Sequence, residues 1–578
     1  CLVALFLAPY LRKFGQFTIP DFLGARFGGN IPRAIGVFAA VLCSFTYVIA
    51  QIYGVGLITS RFTGLEFSIG VFVGLGGILV CSFLGGMKAV TWTQVAQYII
   101  LIVAYMIPVV WLSVMHTGNP IPQLAAYTTA LPKVTALEKE FNNKETPKGA
   151  AEESVRAIFR ERAAAADAKL KGLADGGPAF LASEKQKLVD KVAAVKASGD
   201  AKAVEAAENA VKAFPADAAA AKAAWTKEKA GNAARAAPVK AHAEPFPAAG
   251  KTPEEQEKSR GIAKKNFLAL ILCLMVGTAA LPHILMRFYT TPSVKDARRS
   301  VFWSLFFIFL LYFTAPALAI LAKFDVYSAL VGSSFASLPP WVSNWAAVDK
   351  TLMSITDINK DGIVQLAEVV IGGDLIVLAT PEIAGLPYVI SGLVAAGGLA
   401  AALSTADGLL LTIANALSHD VYYKMIDPNA PTVRRLAVSK GLLLVVALIA
   451  AYVTSLKPGD ILFLVGAAFS LAAAAFFPAL VCGIFWKRAN QLGAILGMTL
   501  GLGVTMYYMY ITYPFFGVNA PKWWDINPIS SGIFGIPLGF IGVIVGSLIS
   551  PAPSKEVQEL VDHVRYPNLE GDINTNAA

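Results

Sequence analysis

The chain has 578 residues with 48 Lys and Arg against 39 Asp and Glu, yet it is 56% hydrophobic, only 15% charged, and has a mean hydropathy of +0.58. That balance excludes an ordinary soluble enzyme and describes a polytopic membrane protein in a lipid bilayer. The net charge of +9 falls largely in short loops between apolar spans, where it marks topology rather than nucleic-acid binding.

The opening CLVALFLAPYLRK offers about seven apolar residues before Arg12, too few to cross a bilayer, so it is expected to be the tail of a membrane helix that begins earlier. The loop RKFGQFTIPDFLGARFGGNIPR carries Arg12, Lys13, Arg26 and Arg33 against Asp21 and is placed on the cytoplasmic side. Apolar spans are predicted near 35–59, 67–86 and 95–115, the last two joined by a short turn, GGMKAVTWTQ, that Lys88 places inside. Cysteines at 1, 43, 81, 273 and 482 show no metal or redox spacing and read as thiols, the last four buried in apolar segments.

Residues 1–116 thus form the first part of a membrane domain. Residues 117–263 form a polar insert rich in Ala, Lys and Glu, too charged for lipid and expected to fold as helices outside the membrane. Ser183 with Gln186 reads as a capping box, while Leu181, Leu188, Val192 and Val195, then Val204, Val211 and Phe214, fall on one face. Pro215 and Gly231 are expected to end helices. The insert's partner is not legible.

The membrane domain resumes over 264–550. Its first span, near 265–287, is interrupted by Gly277, Pro282 and His283, as where a transporter helix unwinds to present its backbone to a solute. His283 reads as a satisfied core histidine, not a metal ligand. Arg287, Lys295, Arg298 and Arg299 mark a cytoplasmic loop, and a span near 301–322 leads to an acidic external loop, 324–384. Within it, DINKDGIVQLAE fits D-x-[DN]-x-[DN]-G-x5-E, with Asp357, Asn359, Asp361, the Ile363 carbonyl, Gln365 and Glu368 as calcium ligands and Val364 as an apolar plug. The alternative is a polar surface turn.

The stretch 387–424 is long and apolar enough to cross the membrane, yet holds Ser404, Thr405 and Asp407 in its interior. The two hydroxyls and the carbonyl of Ala401 can present three neutral oxygens to a small hard cation such as sodium. Alternatively, both hydroxyls bond back to the preceding turn or pack as small residues. Spans near 437–455, 461–485, 492–513 and 529–550 follow, then a polar tail over 551–578. Counting crossings from the basic loops places the insert and the 324–384 loop outside and the tail in the cytoplasm.

LSTADGLLLTIANALSHDVYYK resembles the cation-binding helix of the sodium:solute symporter family. The loop around FTIPDFLGARF, the segment GTAALPHILMRFYT and FLVGAAFSLAAAAFFPALVCGIFWKRANQLGAILG are also similar to it, nearest to the cation/acetate symporters. The resemblance covers the chain apart from the insert. It implies an all-α bundle of two inverted five-helix repeats with sodium and solute bound at mid-membrane beside broken helices. It makes Ala401, Ser404 and Thr405 half of a sodium site, and puts the first two family helices and part of the third before this sequence. Gln94 stands where many members have Asp, which leaves an accessory sodium site without its carboxylate. Candidate solute contacts are Thr46, Tyr47, Gln51 and the break from Gly277 to Pro282, with packing or interfacial anchoring as the alternative for each. The implied function is import of a small monocarboxylate such as acetate across a bacterial-type inner membrane, with sodium as coupling ion, calcium as a candidate second ion and no organic cofactor. Another small solute, proton coupling, or a non-transporting sensor of the same fold are the alternatives.

Overall fold

The computed structural model describes residues 7–198, 201–246, 248–250 and 252–565, without the side chains of 81, 82, 84–90, 197, 198, 201 and 202; Cys1, Cys81 and Lys88 therefore lie outside the described groups. The chain begins with α1 (Ala8–Phe14), α2 (Ile19–Phe27), α3 (Asn30–Thr63) and α4 (Phe67–Thr117). The insert holds α5 (Pro122–Ala125), α6 (Leu131–Asn142), α7 (Pro147–Ser198), α8 (Ala201–Lys212) and α9 (Ala218–Ala236). Helix α10 (Pro253–Thr278) leads from the end of the insert into the membrane domain, followed by α11 (Pro282–Tyr289), α12 (Val294–Asp325), α13 (Pro340–Val348) and α14 (Ile376–Ile383). The chain continues through α15 (Tyr388–Asn415), α16 (Thr432–Ser455), α17 (Ile461–Phe485), α18 (Gln491–Thr512), α19 (Gly532–Ile549) and α20 (Lys555–Arg565). Strands β1 (Met353–Ile355) and β2 (Val369–Ile371) pair antiparallel, Met353 opposite Ile371. Among the described residues nine helical stretches are long and apolar enough to cross a bilayer, with the shorter Phe67–Val80 beside them.

Local chemistry sets the helix ends. Gly15, Gly64 and Gly118 close α1, α3 and α4 in the left-handed conformation, at φ 72, 73 and 73°. Asp460 caps α17 by accepting the Phe463 N–H at 2.6 Å, Asn490 caps α18, and a reciprocal capping box of Thr252 and Glu255 starts α10. Helices α18 and α19 meet through glycines: a Cβ on Gly542 would lie 2.8 Å from the Gly497 backbone, so only hydrogen allows this approach.

Helix α4 joins two of the expected spans. Helical hydrogen bonding runs on through 86–94, where a turn is predicted, but the axis does not stay straight. A straight rod would put Gly77 and Ala104 about 40 Å apart. Both instead meet α15 within a short stretch: a Cβ on Gly77 would touch Leu403 at 4.0 Å, and Gly397 packs on Ala104. The helix therefore folds back, and Phe67–Val80 and Thr91–Thr117 are separate apolar legs.

Two basic groups assigned to loops are built into the bundle. Arg26 is 1% exposed and donates to the carbonyls of Gly483 at 2.7 Å and of Trp486 and Ala489 at 3.1 Å, closing the end of α17. Arg287 lies in α11, its guanidinium 3.1 Å from where a Cβ on Gly408 would stand. Cys43, Cys273 and Cys482 are free buried thiols, as expected.

In the insert, α7 kinks at Gly177 (φ 49°), ahead of Pro178. Ser183 sits inside this helix and donates to the Phe180 carbonyl at 2.8 Å while Gln186 donates to Asp190, so no capping box forms. Gly231 lies within α9 rather than ending it, because alanines on both sides outweigh a glycine cost of about 1 kcal/mol. Helix α8 does stop before Pro215. Leu181, Leu188, Val192, Val195, Val204, Val211 and Phe214 are all half-buried, with Leu173, Ala221 and Trp225 at the centre of the insert's small core.

Candidate functional site

Helix α15 starts after Pro387 and widens beyond Asn415 into a π-helix, Ala416–Ile426. Gly397 and Gly398 seat it closely on α4 and on Ile58 of α3. At its centre Ser404 Oγ donates to the Ala401 carbonyl at 2.9 Å and Thr405 Oγ1 donates to the same oxygen at 3.3 Å. Back-bonding and an oxygen cluster are thus one arrangement, since both hydroxyls converge on the third expected ligand. Both side chains are half-buried and keep lone pairs for a cation.

Gln94, from the second leg of α4, donates its amide to the Ser404 carbonyl. One turn further, Arg287 packs on Gly408 and interacts electrostatically with Asp407, which is 0% exposed. Sequence reading took Arg287 for a loop residue. The R in HILMRFYT, six residues past the helix break, was the available signal.

The break falls at 279–281, between α10 and α11, where Ala279 and Ala280 donate to the carbonyls of Val276 and Gly277. A Cβ on Gly277 would lie 2.6 Å from the Phe469 carbonyl, so this glycine admits α17. Pro282 opens α11 and is buried. Tyr47 packs edge-on to His283 at 5.5 Å and tilts against Phe469 at 5.9 Å. Among the described residues the buried Nδ1 of His283 has no hydrogen-bond partner. The structure thus gathers Tyr47, His283 and the Gly277–Pro282 break. Thr46 instead returns its hydroxyl to the Leu42 carbonyl at 2.9 Å, and Gln51 is half-buried one turn along α3.

The two ends of α15 differ. Near Tyr388 and Ser391 a cavity of about 700 Å³ is lined by Arg61, Asp325, Trp341 and Glu382, with Arg61 and Glu382 paired at 2.9 Å. At the opposite end Asp21, His419 and Asp420 bring ligand atoms within 4.8 Å of one another. There Thr18 donates to Asp420 at 2.7 Å, His419 lies 3.4 Å from Asp21, and Arg33 pairs with Asp21 at 3.2 Å. This polar knot ties α2 to the exit of α15.

The family model described as the sodium:solute symporter family matches residues 1–159, 228–338 and 365–501. An uncharacterised symporter of Cupriavidus necator is 51% identical over 576 residues, covering 98% of this chain and 82% of that one. A monocarboxylic acid transporter of Corynebacterium glutamicum is 29% identical over 291 residues, 49% of this chain and 46% of its own length. A solved Na+-coupled sialic acid symporter, in a substrate-bound outward-open state, superposes with a TM-score of 0.50 at 15% identity over 96% of this chain and 82% of that one. With the family match covering most of the chain and the fold agreeing, this protein, a transporter rather than an enzyme, belongs to the sodium:solute symporter family.

Proposed function

We propose that the protein imports a small monocarboxylate such as acetate across a bacterial-type inner membrane, driven by sodium. The observation that carries the sodium assignment is the convergence of Ser404 Oγ and Thr405 Oγ1 on the Ala401 carbonyl in a membrane-spanning helix. Small hard cations take oxygen ligands, and three neutral ones hold such an ion without burying a carboxylate. The likeness to a monocarboxylic acid transporter favours a carboxylate over other solutes. The solute is placed beside the helix break, against Tyr47, His283, Gly277 and Pro282, with Thr46 and Gln51 further along α3.

The insert and the 324–384 loop are placed outside and the 551–578 tail inside. In that orientation the cavity at Tyr388 faces out and the knot at Asp420 closes the inner end, an outward-facing arrangement. Uptake of labelled acetate into proteoliposomes under imposed sodium or proton gradients tests the reading. Sodium-driven accumulation that Ser404→Ala weakens supports it, whereas accumulation driven by protons alone refutes it.

A further inference from the structure

Strands β1 and β2 pinch together the two ends of the Asp357–Glu368 loop. Its backbone is left-handed at Lys360 (φ 63°) and Gly362 (φ 74°), and the Gly362 N–H donates to Asp357 Oδ2 at 3.0 Å. Asp361 accepts from the Ile363 N–H at 2.8 Å, from Gln365 Nε2 at 2.7 Å and from Asn359 Nδ2 at 2.9 Å. The segment Gly332–Phe335 bonds to the carbonyls of Gly362 and Val364, which turns the intervening Ile363 carbonyl to the opposite side.

Gln365 is 2% exposed and donates to Asp361, and among the described residues neither its Oε1 nor the buried Asp357 Oδ1 accepts a side-chain or backbone hydrogen bond. Glu368, 0% exposed, accepts the backbone N–H groups of Ile358 at 2.6 Å and Gln365 at 3.1 Å. The hydrogen bonds to the carboxylates of Asp357, Asp361 and Glu368 come from amides, so the loop carries three acidic groups along one turn of chain.

The insert forms the loop's outer wall. Glu152 of α7 accepts the N–H groups of Leu366 and Ala367, Ser154 accepts from Asn359 at 3.1 Å, and Arg235 of α9 donates to the Ala367 carbonyl at 2.9 Å. Val155, Phe159 and Ala236 pack with Ile358 and Ala367, while Val364, 1% exposed, plugs the loop into the core beneath. The family match skips 160–227 and 339–364, whereas the insert residues that meet the loop, Glu152 to Phe159 and Arg235 with Ala236, lie within its matched stretches.

We propose that this loop binds calcium through Asp357, Asn359, Asp361, the Ile363 carbonyl, Glu368 and a water held by Gln365, and that calcium fastens the insert to the membrane domain. The ligand number and a bidentate carboxylate suit calcium, whereas magnesium demands a tighter octahedron. Because Asn359 serves both the ion and Ser154 of the insert, and Ile358, Leu366 and Ala367 stand beside the ligands and against the insert, occupancy and docking are thermodynamically linked.

The test is calorimetric titration of chelator-stripped whole protein with calcium chloride, and separately with magnesium chloride, alongside tryptic cleavage within α7. Expected is a calcium Kd of about 10⁻⁴–10⁻³ M, at least tenfold weaker in Glu368→Gln, with calcium slowing cleavage only where it binds. Asp361→Asn, at an exposed position, serves if the buried Glu368 variant does not fold. Folded protein that takes up no calcium by about 10 mM, or equal binding in wild type and variants, overturns the site. Binding that leaves α7 cleavage unchanged overturns the link to the insert.

Discussion

Removing the hydroxyl of Ser404 or Thr405 should strike the ion and spare the fold. Each hydroxyl donates to the Ala401 carbonyl, at 2.9 and 3.3 Å, and in an α-helix that carbonyl also accepts the backbone N–H four residues on. An alanine therefore leaves no buried carbonyl without a partner. In the ion-bound state the same substitution removes a neutral oxygen from a positive charge. An interaction with a charged group is worth about 1.5–3 kcal/mol, which corresponds to roughly a 10- to 150-fold rise in the sodium concentration for half-maximal uptake. Thr405→Ser keeps the oxygen and should stay within a few-fold of wild type. The assay is initial-rate uptake of labelled acetate against sodium, at constant ionic strength with choline as the replacement ion. Sodium dependence unchanged in both alanine variants, with the proteins folded and inserted, would refute the assignment.

Gln94→Asp puts a carboxylate beside Ser404 and near Arg287. If it recruits a second sodium, uptake becomes voltage-dependent by about 2.3 kcal/mol per 100 mV for each added charge, measurable with potassium diffusion potentials. Tyr47→Ala removes the ring packed on His283 and Phe469, and should raise KM for the carboxylate more than the sodium constant in the same uptake assay. Gly277→Ala drives a methyl onto the Phe469 carbonyl, whereas a Cβ on Gly392 meets nothing within 4 Å. Thermal unfolding in detergent should show the first destabilised by about 1–3 kcal/mol and Gly392→Ala neutral or stabilised by up to about 1 kcal/mol.

The membrane spans were legible because hydrocarbon imposes length and apolarity on every crossing: the expected 461–485 span is α17, residue for residue. Charge was less reliable as a guide. Arg26 and Arg287 look like topology markers in sequence, but each is held by partners from distant helices, which the local pattern does not reveal. The same gap explains Ser183, whose capping pattern is overridden once α7 continues past the kink at Gly177. The hydroxyl pair on α15 was visible as a polar interruption, and Ala401 followed from helical spacing. Gln94 on Ser404 and His283 on Tyr47 needed the fold, because contacts so far apart in sequence leave no periodic trace. In the 357–368 loop the ligand spacing was local and readable, whereas its wall of Glu152, Ser154 and Arg235 comes from the insert and was not.

The central claim is sodium-coupled movement of a small monocarboxylate, and sodium-gradient-driven accumulation of labelled acetate in sealed proteoliposomes tests it most directly. If one sodium moves with one monocarboxylate anion, the transported charge cancels. A tenfold sodium gradient, worth about 1.4 kcal/mol, then supports at most about tenfold accumulation at any membrane potential. Accumulation approaching that limit and collapsing when the sodium gradient is dissipated is the predicted result. Acetate that merely equilibrates under a sodium gradient, or accumulates under a proton gradient without sodium, would contradict the account.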